Sequence, residues 1–115
     1  MIFSIEISIF LTFIVFFVNC IEFGDRYNQA KTYHNLGIVA EKSGELAKAK
    51  TQLMQALGIF LKFNDQHYLG VILGNLARIY KASQDESILT EVAFILGTTV
   101  KKVRERFEDG ETKKI

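Results

Sequence analysis

The sequence predicts an all-α protein: an α-solenoid of two helix-turn-helix hairpins, preceded by an apolar N-terminal helix. Three observations lead to this prediction. Apolar residues recur at helical spacing from residue 24 to residue 107, turn-forming residues separate the resulting stripes, and the chain matches itself when it is shifted by forty residues. With 115 residues, the chain is long enough for one compact domain.

The apolar stripes predict four helices, at about 26–43, 46–63, 66–83 and 86–108. An aspartate precedes three of them, where its carboxylate can accept hydrogen bonds from the free amides of a first helical turn. These aspartates are Asp25, Asp65 and Asp85. We expect the first helix to end at Ser43 and Gly44. Glycine is the usual left-handed residue after a helix end.

Residues 1–21 form a separate apolar segment. The run from residue 2 to residue 18 contains one charged side chain, Glu6, and as a helix extended to residue 21 it would reach the roughly 30 Å of a bilayer core. One interpretation is a membrane anchor, for which the basic residues that follow the run place the repeats in the cytoplasm. A secretory signal is disfavoured, because no basic residue precedes the run and no small-residue cleavage site follows it. The third interpretation is a helix that packs on the chain's own repeats, or a displaced start.

A shift of forty residues aligns two hairpins, about 24–63 and 64–107. Phe23 falls on Phe63, Asp25 on Asp65, and Asn35-Leu36 on Asn75-Leu76. Two helical hairpins of equal period are typical of an α-solenoid. The N-terminal run does not continue the pattern, because the same shift puts the bulky Ile9 and Phe16 on the small Ala49 and Ala56.

The first hairpin resembles the tetratricopeptide repeat (TPR) family. The match consists of Tyr33-x-x-Leu36-Gly37-x-x-Ala40-x-x-x-Gly44, continued by Ala49-x-x-x-Leu53-x-x-Ala56. The second hairpin matches more loosely, with Leu73, Leu76, Ala77, Tyr80, Leu89, Ala93 and Leu96 at the same offsets. The forty-residue period is similar to that of kinesin light chain and of bacterial scaffold and sensor proteins. We expect the small residues to bring helices close together, and Tyr33, Leu36, Leu53 and Tyr80 to fill the space between them.

The resemblance implies a groove along the first helix of each hairpin, where family members bind extended peptides or partner helices. The expected groove residues are Lys31, His34, Asn35, Ile38, Asn75, Arg78 and Lys81. Asn35 and Asn75 stand where family members often place an asparagine that hydrogen-bonds the main chain of a ligand. A structural hydrogen bond to the neighbouring helix is an equal alternative. For Lys31, Arg78 and Lys81 the competing interpretation is a solvated face, and for His34 an exposed histidine without a ligand.

Composition argues against catalysis and against nucleic acid as a partner. The net charge of +1 creates no field suited to a phosphate backbone. The single cysteine, Cys20, excludes an internal disulfide framework and a Cys-rich zinc site. His34 and His67 fall on different predicted helices, without a neighbour suited to metal binding. We therefore expect no catalytic residue, no metal and no cofactor.

The predicted function is that of a protein–protein interaction scaffold that binds a protein or peptide partner. The alternative is a regulatory or sensor part of a larger TPR-containing signalling protein. Two repeats bury little surface, so the core should be completed by the N-terminal segment, by self-association or by a longer array. The last helix suggests a route to self-association, because its apolar residues from Leu89 to Phe107 have coiled-coil spacing. The charged tail, residues 108–115, is expected to fray.

Overall fold

The structure, a computed structural model, describes residues 2–109, with side chains described at Leu11, Ile14 and residues 24–109. Every regular element in this range is a helix, which confirms the all-α class. The helices are α1 (Ile2–Lys42), α2 (Leu46–Lys62), α3 (Gln66–Ser83), α4 (Ser87–Leu96) and α5 (Val100–Asp109). The tail beyond Asp109 lies outside the described residues.

The first helix begins much earlier than the sequence predicted. The expected start at residue 26, capped by Asp25, is wrong, because α1 runs from Ile2 through Gly24 and Asp25 without a break. A glycine inside a helix costs only about 1 kcal/mol relative to alanine, and a continuous helix keeps the backbone groups on both sides of Gly24 hydrogen-bonded. The helix start had therefore been assigned to a residue that lies in the helix interior.

The membrane-anchor prediction for residues 2–18 depends on side chains that, apart from Leu11 and Ile14, lie outside the described part of the chain. Within the described residues, no helix combines the length and the apolar character needed to cross a bilayer.

The links between the first four helices recur every twenty residues. Each contains one residue with a positive φ: Gly44 at 81°, Asn64 at 53° and Gln84 at 57°. The predicted break at Ser43-Gly44 is confirmed. So is the capping role of Asp65, whose carboxylate accepts from the Tyr68 amide at 3.1 Å. Asp85 lies one residue before Glu86, the N-cap residue of α4, and accepts a hydrogen bond from the Ser87 amide at 3.0 Å.

The predicted fourth helix is two helices. Gly97, with a φ of 68°, ends α4, and α5 starts three residues later, where Thr99 accepts a hydrogen bond from the Lys102 amide at 3.2 Å. The single helix over 86–108 is therefore wrong, and the coiled-coil seam that it implied is interrupted. In α5, Val103 and Phe107 are buried in the protein's own core.

Small residues bring α1 and α2 together, as expected. Gly37 and Ala49 are both buried, and a Cβ added at Gly37 would lie 2.7 Å from Leu53 Cγ and 3.4 Å from the Ala49 carbonyl oxygen. The absence of a side chain at Gly37 thus sets the distance between the two helices. Leu36 does not fill the space beside them, because 48% of its surface is exposed, and that prediction is wrong.

Candidate partner-binding face on the first and third helices

Helices α1 and α3 contact each other through three polar pairs. The hydroxyl of Tyr27 donates to Asp65, His34 meets Asn75, and Glu41 meets Arg78. From one pair to the next, the residue number increases on α1 and on α3 alike, so the two helices run in the same direction. The two helices therefore lie side by side at these contacts.

A network of three side chains ties Glu41 to Asn75. Arg78 donates from Nε to Glu41 Oε2 at 3.0 Å and from a terminal nitrogen to Glu41 Oε1 at 2.9 Å, a bidentate geometry that fixes both partners. The same terminal nitrogen donates to Asn75 Oδ1 at 2.7 Å. The Glu41 carboxylate raises the pKa of Arg78 above its ordinary value.

The network determines the protonation state of His34. The oxygen of the Asn75 amide is occupied by Arg78, so its Nδ2 faces His34 Nε2 at 3.3 Å. An amide nitrogen can only donate, and Nε2 must therefore be the unprotonated acceptor. The imidazole ring also packs edge-on against Tyr68, with centroids 5.7 Å apart. Burial lowers the pKa of His34, in agreement with a neutral ring.

We expect the stability of the protein to fall at mildly acidic pH because of His34. The unfolded chain takes up a proton at the ordinary pKa of 6.5, and the folded chain does so only at a lower pH. The stabilising contribution is therefore complete above pH 6.5 and is lost as the pH falls through the folded pKa. Urea unfolding between about pH 7.5 and pH 5 measures this decline.

Two matched variants identify the residue responsible for the pH effect. His34→Gln should flatten the decline, and His67→Gln, at an exposed histidine on α3, should keep it. An unchanged pH dependence in His34→Gln would show that other groups cause it.

The structure divides the predicted groove residues into two sets. His34 and Asn75 are buried and bonded to each other, so the interpretation of His34 as an exposed histidine is wrong. For Asn75, the alternative of a structural hydrogen bond to the neighbouring helix is the one that is observed. The remaining predicted residues lie nearer the surface. Lys31, Asn35 and Lys81 are exposed, Ile38 is half-buried, and Arg78 is exposed while paired with Glu41.

An aromatic cluster at one end of this face was not predicted. Tyr27 meets Phe60 and Phe63 edge-on, with centroids 5.4 and 5.3 Å apart, and the Lys31 ammonium lies 5.0 Å from the Tyr27 ring centroid. The hydrogen bond to Asp65, 2.5 Å long, raises the pKa of Tyr27 to about 12 and lowers that of Asp65. Asp65 thus caps α3 and holds α1 with the same carboxylate. Only the capping half of this role has a sequence signal.

A second concave surface lies where α3, α4 and α5 meet. It is an open cleft of about 570 Å³, with apolar walls and a charged rim. Its lining includes Leu69, Leu73 and Val103 as walls and Lys102 and Arg106 at the rim. The sequence did not indicate this cleft, because it exists only where the chain turns at Gly97.

Among the described residues, no group of three or more histidine, cysteine, aspartate or glutamate side chains could hold a metal ion. Comparisons with protein-family models, with curated proteins and with solved structures give no match. The resemblance to TPR proteins therefore remains a prediction from the motif residues of the sequence.

Proposed function

We propose that this chain is a TPR-like module of two helical hairpins that binds an extended peptide or a partner helix along the face of α1 and α3. The side-by-side, co-directional arrangement of α1 and α3 supports the proposal, as do the turns that recur every twenty residues. Both are features of helical hairpins stacked in series, in which the first helices line one surface.

One observation carries the proposal: the His34–Asn75–Arg78–Glu41 network joins α1 to α3, while other polar residues of the same two helices remain exposed. Side chains that are already held in place lose little conformational entropy when a partner binds, so such a network favours binding at the surface beside it. The exposed Lys31 and Lys81 favour acidic groups on the partner. The amide of Asn35 can both donate to and accept from a peptide main chain.

The test is a selection of random peptides displayed on phage against the purified protein. We expect the selected peptides to be enriched in aspartate and glutamate. A triple variant, Lys31→Glu with Asn35→Ala and Lys81→Glu, should weaken their binding at least about tenfold, which corresponds to about 1.4 kcal/mol. Asn75 and Arg78 are left intact, because both belong to the network and their loss would disturb the fold as well as the surface.

The matched control carries the same kinds of substitution at exposed positions of α2 and α5: Lys48→Glu, Gln55→Ala and Lys101→Glu. It should bind the peptides as tightly as the parent protein. Both triple variants should melt close to the parent. Equal binding by the two variants would contradict the proposed face.

A further inference from the structure

Two apolar residues on α1 differ sharply in burial from their counterparts forty residues later. Leu36 and Val39 are 48% and 61% exposed, whereas Leu76 and Ile79 on α3 are 0% and 1% exposed. One turn earlier on the same faces, Thr32 is exposed and its counterpart Ile72 is buried. We call Thr32, Leu36 and Val39 the open face of α1.

The counterpart face of α3 is enclosed by neighbouring helices. The helix with the most extensive contact to α3 is α2, which precedes it directly in the chain. By the same forty-residue relation, the helix that would cover the open face of α1 is the segment that precedes it. That segment is residues 2–22, which are predominantly apolar in sequence and which the structure shows as a straight extension of α1.

The twenty-residue spacing of the links between helices marks the position at which the chain would have to turn. Gly44, Asn64 and Gln84 have a positive φ and lie twenty residues apart, and the next position toward the N-terminus is Gly24. Glycine adopts this left-handed conformation without steric cost. Asp25 follows Gly24 as Asp65 follows Asn64, and its exposed carboxylate could cap a new helix start as Asp65 does.

We propose that residues 2–22 turn back at Gly24 and dock as an antiparallel helix on the open face of α1. The lengths agree, because residues 2–22 span roughly 31 Å as a helix and residues 24–42 roughly 28 Å. In the straight form, Leu36 and Val39 remain in water. Docking of an apolar helix removes their surface from water together with that of the segment itself.

The bulky Ile9 and Phe16 do not stand against this arrangement. Their counterparts on α2 are Ala49 and Ala56, and the contact of Ala49 with Gly37 shows that this side of α2 faces α1, the first helix of its own hairpin. The corresponding side of a docked segment would point away from the open face. Small residues are therefore not required there.

The experiment measures a distance within one chain by electron paramagnetic resonance. Spin labels are placed on Ser4→Cys and Lys42→Cys in a full-length chain that carries Cys20→Ser. A straight α1 separates the two backbone positions by about 57 Å. An antiparallel hairpin with an interaxial distance near 10 Å brings them to within about 25 Å. We expect a population at the short distance, and its persistence when labelled chains are diluted with unlabelled chains.

Gly24→Ala should reduce the short-distance population, because alanine disfavours the turn and favours the straight helix. The control is Gly58→Ala in α2, another helical glycine whose added Cβ would meet no described atom within 4 Å, and it should leave the population unchanged. A single distance near that of the straight helix overturns the proposal. A short distance that disappears on dilution also overturns it, because the occupant of the open face would then be a second copy of the chain.

Discussion

Replacing Phe60 with alanine is expected to lower the free energy of unfolding by about 3–5 kcal/mol. Phe60 is fully buried where α1, α2 and α3 meet. Its ring stacks on Tyr68 of α3, with centroids 4.4 Å apart and ring planes within 2° of parallel. It also contacts Tyr27 of α1 edge-on. Alanine at this position removes both contacts and leaves a cavity that three helices border.

Urea unfolding followed by circular dichroism measures this loss. The control is Phe94→Ala on α4, where 85% of the phenylalanine is exposed and the change should stay within about 0.5 kcal/mol of the parent. Equal effects at the two positions would show that Phe60 does not anchor the packing of α1 against α3.

The two central helices could be predicted nearly to the residue. The sequence predicts helices over 46–63 and 66–83, and the structure has helices over Leu46–Lys62 and Gln66–Ser83. Both helices have a clear apolar stripe, and their boundaries coincide with strong local signals, the left-handed Gly44 and the cap at Asp65. Local and tertiary preferences agree there, so sequence reasoning succeeds.

Two glycines were misinterpreted in opposite directions. The predicted helix start at residue 26 leaves Gly24 outside a helix, but Gly24 is helical; the predicted helix over 86–108 includes Gly97, but Gly97 ends α4. The turn at Gly97 keeps Val103 and Phe107 in phase with the apolar stripe, so the periodicity does not reveal it. A glycine changes helix stability by only about 1 kcal/mol, and the packing of the flanking helices decides the outcome.

The pairing of side chains between α1 and α3 could not be predicted from the sequence. The forty-residue shift relates Asn35 to Asn75, yet the neighbour of Asn75 is His34. Adjacent residues on a helix differ in direction by about 100°, so a modest rotation of α1 decides which of them faces α3. Side-chain packing between different helices sets that rotation, as in the contact of Gly37 on α1 with Leu53 on α2, and the apolar periodicity of a single helix does not encode it.

Gly37→Val is expected to lower the free energy of unfolding by about 2–3 kcal/mol. The Cβ alone would lie 2.7 Å from Leu53 Cγ and 2.9 Å from Leu53 Cδ2. Leu53 is fully buried and cannot rotate into solvent, so the helices must separate. Gly58→Val makes the same change in α2, where an added Cβ would meet no described atom within 4 Å, and there we expect a change within about 0.5 kcal/mol.

A double-mutant cycle shows whether the contact with Leu53 causes the loss. Leu53→Ala alone should cost about 2–5 kcal/mol, because it leaves a cavity between α1 and α2. In the double variant, the valine at position 37 occupies part of that cavity, so the combined cost should be smaller than the sum of the two single costs. If the two costs simply add, Gly37 does not set the α1–α2 distance through Leu53. A coupling of about 1 kcal/mol or more would establish that the close approach of these helices depends on the pair.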